Sequence, residues 1–160
     1  MRHAKQSGIA ARDHDRPLLD EGREDAHRVG LHLAEVGPVP ALVLSSTALR
    51  CRQTWEAVEI GLARSIEVEY LPELYNASSQ ELSRTIAGAD DACETLLLLA
   101  HNPGISMLGL ELGASNPADL DALRSGFAPA TQACFEIEGP WSSISARTAS
   151  LIRFEPAPRG

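Results

Sequence analysis

The sequence has no long hydrophobic run. Its longest unbroken apolar stretch, Leu96 to Ala100, falls far short of the roughly 18–20 residues that a membrane-spanning helix needs. The opening Met1-Arg2-His3-Ala4-Lys5-Gln6-Ser7-Gly8 holds no apolar segment, so no secretory signal is visible. Cysteine is sparse: Cys51, Cys93 and Cys134 are odd in number, widely spaced and without a CxxC pair. That pattern excludes a disulfide scaffold and a cysteine metal site, and it reads as free thiols in the cytoplasm. Lysine is scarcer still, with Lys5 alone against a background of arginines. Arginine suits bidentate phosphate contact, although a GC-rich genome produces the same bias. The net charge of −8 argues against a nucleic-acid or anionic-membrane partner. It is uneven: residues 1–53 hold 8 basic and 7 acidic side chains, leaving 6 and 15 for the remainder.

What is present is ordinary globular composition, 44% hydrophobic and 22% charged over 160 residues. Residues 1–160 read as one domain, able to bury roughly 68–70% of the surface of its unfolded chain. Strand and helix signals alternate. Asp20 reads as an N-cap, followed by a helical stripe of Ala26, Val29, Leu31, Leu33, Ala34 and Val36 that stops at Gly37-Pro38. Ala41 to Leu44 reads as a buried strand, and a helix from about Thr47 turns Ala48, Trp55, Val58 and Leu62 inward. Ile66, Val68 and Tyr70 alternate as a strand with one wet face. Ser78 and Glu81 fit a capping box. Thr95 to Ala100 is the strongest buried-strand signal, and a helix with Ile105, Leu108 and Leu112 follows. A short helix over Pro117 to Leu123 and strands near Cys134 to Glu138 and Leu151 to Phe154 complete the pattern. Such alternation predicts a three-layer α/β/α sandwich with a mostly parallel central sheet. In that architecture ligands bind at the carboxyl ends of the strands.

Three segments at such ends carry phosphate-type chemistry: Arg2-His3-Ala4-Lys5, Ser45 through Thr54, and Leu99 through Gly104. Singly each has a bland explanation: a floppy tail, solvated helix arginines, a histidine capping a strand. Together they resemble the histidine phosphatase superfamily, the phosphoglycerate mutase-like proteins, and within it the SixA-type phosphohistidine phosphatases. The resemblance covers nearly the whole chain. Arg16-Pro17-Leu18 with Gly22, Ser45-Ser46-x-Ala48-x-Arg50-x-x-Gln53-Thr54, Leu71-Pro72-Glu73-Leu74, His101-Asn102-Pro103-Gly104 and Phe127-Ala128-Pro129-Ala130-Thr131 follow the family's motifs in order and spacing.

The resemblance implies that His3 is the nucleophile, and that Arg2, Arg50 and His101 hold the phosphoryl oxygens, with Asn102 beside them. Two arginines and a protonated His101 would supply the positive charge, so no cofactor and no metal are expected. Glu73 stands where mutase-type relatives carry a proton donor; from the residues alone it is equally a surface glutamate. Asp13, Asp15, Glu21 and Asp25 read as solvated charges, and His14 as a surface or packing residue. The implied substrate is a phosphorylated one, with a phosphohistidine on a signalling protein as the leading candidate. A small-molecule phosphomonoesterase and a non-catalytic phosphate-binding module are the rivals. The family carries a central strand before its Arg-His pair, whereas Met1 alone precedes Arg2 here. Met1 is therefore expected to be strand-like, between the strands holding Leu42–Leu44 and Leu97–Leu99, with upstream residues lengthening that strand. Ala100 replaces a common glycine.

Overall fold

The computed structural model describes residues 1–158. Its centre is a parallel sheet of β1 (Leu42–Ser46), β2 (Glu67–Leu71) and β3 (Leu96–Leu99), ordered β2-β1-β3. Val43 stands opposite Val68 on one side and Leu97 on the other. The period of two along each strand divides the apolar side chains between two cores. Val43 and Leu99 pack with Ala26, Val29, Trp55 and Val58. Leu44 and Leu98 pack with Leu74, Leu82, Ile105 and Leu108 on the opposite face. Helices α1 (Asp20–Val36) and α2 (Leu49–Leu62) thus cover one face. Helices α3 (Ser79–Ala87), α4 (Gly104–Leu112) and α5 (Pro117–Leu123) cover the other. Fully buried residues such as Val29 and Val58 each contribute roughly 1.5–3 kcal/mol by leaving water.

α1 and α2 approach closely because Gly30 and Gly61 sit at their crossing. A Cβ on Gly30 would run into the Val58 carbonyl, and one on Gly61 into the His27 carbonyl. The predicted α1 stripe is corrected: Gly22, Ala26, Val29, Gly30 and Leu33 are buried, while Leu31 and Val36 are exposed. The true face keeps the 3.6 period, and the two glycines within it carry no hydrophobic signal. Asp20 is the first helical residue rather than the cap; Leu19 caps, its N–H held by the Lys5 carbonyl at 3.0 Å. The capping box of Ser78 and Glu81 is present on α3.

The expected position of the opening residues is also corrected. β1 and β3 pair directly, Leu42 to Ser45 with Leu96 to Leu99, so no chain lies between them. Met1 to His3 instead run along the far edge of β3, with Arg2 bridged in parallel to Ala100. The His3 N–H donates to the Ala100 carbonyl at 3.2 Å, and the Arg2 N–H donates to Thr131 at 3.1 Å. Beyond Thr131, β4 (Gln132–Ile137) and β5 (Ala149–Glu155) form an antiparallel pair with a bulge at Cys134/Phe135. A cavity of about 970 Å³ opens between β3 and β4 and is walled by Leu96, Leu97, Phe135 and Ile137. It is mainly apolar, with Glu94, Arg153 and Glu155 also on its wall, and it holds none of His3, Arg50 and His101. No helix among the described residues is long and apolar enough to cross a membrane.

Candidate active site

The site forms where β1, β3 and the opening segment end. His3, Arg50 and His101 are each only 4% exposed. His3 is gripped from both sides of its backbone: its N–H by Ala100, and its carbonyl by the Ala130 N–H at 3.1 Å. The next N–H, of Ala4, donates to Thr54 Oγ1 at 3.0 Å, and the Thr54 hydroxyl donates to the Arg50 carbonyl at 2.6 Å. One turn of α2 therefore ties the histidine strand to the arginine. Gln53 Oε1 accepts from the Leu18 N–H at 2.8 Å, fastening the Arg16-Pro17-Leu18 segment to the same helix. Gly104 admits α4 beside His101, because a Cβ there would strike the Ala77 carbonyl.

The hydrogen bonds fix the tautomers of both histidines. His3 Nδ1 lies 2.8 Å from the Ala4 carbonyl oxygen, which only accepts. Nδ1 therefore carries the proton and Nε2 the lone pair. His101 Nδ1 accepts from Arg50 Nε at 3.3 Å, so the proton sits on Nε2, which donates to Ser46 Oγ at 2.8 Å. The two rings are 5.1 Å apart, centroid to centroid. Burial lowers the His3 pKa to about 4; the Ala4 hydrogen bond opposes this, and the charges of Arg50, Arg2 and Arg16 reinforce it. Burial and then Arg50 lower His101 to about 3. The expected protonated His101 is thereby corrected: at pH 7 this ring is neutral, because it is dry and already faces a guanidinium. Cys51 lies beneath it, its Sγ 3.6 Å from Nε2, with burial pushing the thiol up to about 12.

Arg2 Nη1 donates to the Phe127 carbonyl at 2.8 Å, while its Nε is buried and, among the described residues, without a partner. Burial and the charge of Arg50 lower the Arg2 pKa. Two close guanidiniums and an orphaned N–H favour an anion. Asn102 donates to the same Phe127 carbonyl at 3.0 Å and accepts from Ser106 Oγ at 2.7 Å, bracing the loop that holds Arg2. Glu73 sits in the turn Pro72–Leu74 after β2, exposed and, among the described residues, without a hydrogen-bond or ion-pair partner.

Asp13 and His14, though partly exposed, are bonded into the site. Asp13 pairs with Arg50 Nη2 at 3.1 Å and also takes Tyr75 OH at 2.7 Å and Arg16 Nη1 at 3.0 Å. His14 Nε2 meets Thr47 Oγ1 at 3.0 Å, and its ring lies edge-on to Tyr75. The Tyr75 ring in turn stands edge-on to His101, centroids 5.5 Å apart. Sequence reasoning missed Asp13 and Tyr75. The one signal for Asp13 was its place three residues before Arg16.

Residues 1–98 match the Histidine phosphatase superfamily (branch 1). The chain belongs to that superfamily. An uncharacterized protein of Mycobacterium tuberculosis (strain CDC 1551 / Oshkosh) is 32% identical over 160 residues, covering 96% of this chain and 98% of the relative. Two solved structures, each provisionally described as a phosphohistidine phosphatase SixA, are similar throughout. The one from Nakamurella multipartitia has a TM-score of 0.86 at 34% identity, covering 98% of this chain and 93% of its own. The one from Agrobacterium tumefaciens has a TM-score of 0.81 at 32% identity, covering 97% and 94%. As a histidine phosphatase superfamily member, the protein is a hydrolase of phosphorylated substrates with a parallel central sheet.

Proposed function

We propose that this histidine phosphatase is a SixA-type phosphohistidine phosphatase that works through a phosphoryl group carried on His3. The observation that carries the reading is the His3 tautomer: Nδ1–H bonded to the Ala4 carbonyl leaves the Nε2 lone pair beside two arginines. Burial keeps that lone pair unprotonated at pH 7, as a nucleophile requires. Arg2 Nε and the uncommitted N–H groups of Arg50 receive the phosphoryl oxygens, and His101 Nε2–H shifts to one of them from Ser46. His3 Nε2 then bonds to phosphorus while the substrate P–N bond breaks, its electron pair going to the departing imidazole, which takes a proton from water. Water next attacks phosphorus and loses a proton to solvent, the P–Nε2 bond breaks with its electron pair returning to His3, and inorganic phosphate leaves. The fixed guanidiniums stabilise the charge spread over the transferring group. No step calls on a metal or cofactor, and the substrate phosphoryl is carried by a histidine of a signalling protein.

The test is a substrate panel with a labelled phosphohistidine protein and labelled phosphomonoesters, run with a strong chelator present. The expected result is acid-labile, alkali-stable label on His3, faster turnover of the phosphohistidine protein, and competition by vanadate or phosphate. Label on His101 alone, unimpaired turnover by His3→Ala, or loss of activity to chelator restored by a divalent metal would overturn the reading. Preference for phosphomonoesters would overturn its substrate class.

A further inference from the structure

Arg50 is the most heavily constrained side chain of the site. Its side chain is only 5% exposed, yet its main partner, Asp13, is 50% exposed and sits on the short turn Asp13–Asp15. Arg50 Nη1 donates to the Asp13 backbone carbonyl at 2.8 Å, and Nη2 to Asp13 Oδ2 at 3.1 Å. Nε is held by His101. A guanidinium has five N–H groups in a rigid plane. Fixing three of them fixes the direction of the other two, one on Nη1 and one on Nη2. Asp13 is itself held by two further side chains. Arg16 Nη1 holds Oδ1, and Tyr75 OH, from the turn after β2, holds Oδ2. These donors, Tyr75 first, also keep the Asp13 carboxyl well below the usual carboxylate range. An ordinary exposed ion pair would add little. This one joins an outer turn to a buried arginine through both backbone and side chain.

We propose that Asp13, itself held by Tyr75 and Arg16, is a positioning residue that aims the two free N–H groups of Arg50 at the transferring phosphoryl group. The proposal rests on reading the site as one for phosphoryl transfer to His3. It does not place Asp13 in contact with substrate. A guanidinium released from Asp13 still attracts phosphate by its charge, but no longer matches the trigonal transition state, where orientation counts most. Asn at position 13 has a single acceptor oxygen and a donor where Asp has a second acceptor. It cannot serve Arg16 on one side and Tyr75 with Arg50 on the other.

The experiment uses the whole protein and a phosphohistidine peptide, with inorganic phosphate and vanadate as competitors. Asp13→Asn is expected to lower kcat about 10–100-fold, the scale on which a misplaced catalytic group registers. Vanadate inhibition should weaken in step with kcat, while phosphate inhibition stays within about threefold, because only vanadate mimics the transition state. Asp13→Glu, which keeps the charge but displaces it, should keep the wild-type Tm and not restore kcat. Tyr75→Phe should lower kcat less, and the double variant should be no worse than Asp13→Asn alone, because both act along one path. An unchanged kcat in Asp13→Asn, vanadate and phosphate inhibition moving together, or effects that multiply in the double variant would each overturn the proposal. Label on His3 in the wild type separates these failures from a failure of the phosphoryl-transfer reading itself.

Discussion

The floor of the site and its rim are built by different means. His3 and His101 form the floor with Arg50, held by backbone bonds at strand ends and by hydroxyls of Ser46 and Thr54. Asp13, His14 and Tyr75 form the rim, on or beside short turns and tied in mainly through side chains, with Glu73 exposed in the turn just before Tyr75. The floor is dry, and the Asp13 and His14 side chains are 50% and 39% exposed. The difference separates two kinds of contribution: the floor sets which atoms react, whereas the rim sets how accurately one arginine is aimed. A change in the floor should therefore remove chemistry outright, and a change in the rim should scale it.

The most severe breaks in that contrast come from the floor itself. Arg50→Ala should lower kcat by the equivalent of about 3–4 kcal/mol, the scale of a lost oxyanion donor. His3→Ala should show no turnover at all. Both proteins should retain their secondary structure by circular dichroism, since neither side chain belongs to either apolar core. Arg50→Ala retaining more than about a tenth of wild-type kcat would place the floor and the rim on an equal footing.

A second test uses acid. The floor histidines are neutral when folded, with His3 at about 4 and His101 at about 3, against about 6.5 in an unfolded chain. Between these values the unfolded state binds more protons, so stability rises with pH. It is fully present above about pH 6.5 and is lost progressively as pH falls toward 4. For His3 alone the loss is on the order of 3 kcal/mol. The urea midpoint of the wild type should drop over that window, and His3→Ala should flatten the drop. Parallel profiles for the two proteins would mean that burial of His3 does not set its charge. Asp13, on the rim, adds a dependence at lower pH, because its depressed carboxyl charges the folded state until stronger acid.

The same contrast explains what could be read from the sequence. The strands at Leu42–Ser46 and Leu96–Leu99 announce themselves as apolar runs, and the bonds of Ser46, Gln53 and Thr54 are why the segment around Arg50 has fixed residues at fixed spacing. Their partners lie at strand ends that the fold class already locates. The charge state of His101 was not legible, because it depends on burial and on Arg50 meeting Nδ1 across 51 positions of chain. Asp13 sits among Arg12, His14, Asp15 and Arg16, a run that looks solvated in one dimension. Its tie to Tyr75 spans 62 positions. The path of Met1 to His3 along the outer edge of β3 was hidden for a similar reason: parallel pairing order leaves no local pattern.

The smallest expected effect sharpens the contrast most. Glu73 is exposed in the turn that leads to the rim residue Tyr75, and among the described residues nothing orients it. A general acid must lie within hydrogen-bond reach of the leaving atom, and a well-placed one contributes about 10²–10⁴-fold. An unheld carboxylate on a surface turn meets that requirement only if a bulky substrate brings the leaving group to it. The departing imidazole of a phosphohistidine is a fair leaving group and can take its proton from water, whereas an alkoxide cannot leave unprotonated. Glu73→Gln should thus change kcat on a phosphohistidine peptide by no more than about twofold, well below the range of a true proton donor. Run in parallel, an alkyl phosphomonoester is the sensitive control, because any role for Glu73 appears there first. A loss of about tenfold or more on the phosphohistidine peptide would make Glu73 a proton donor, and the rim would then take part in the chemistry as well as in aiming Arg50.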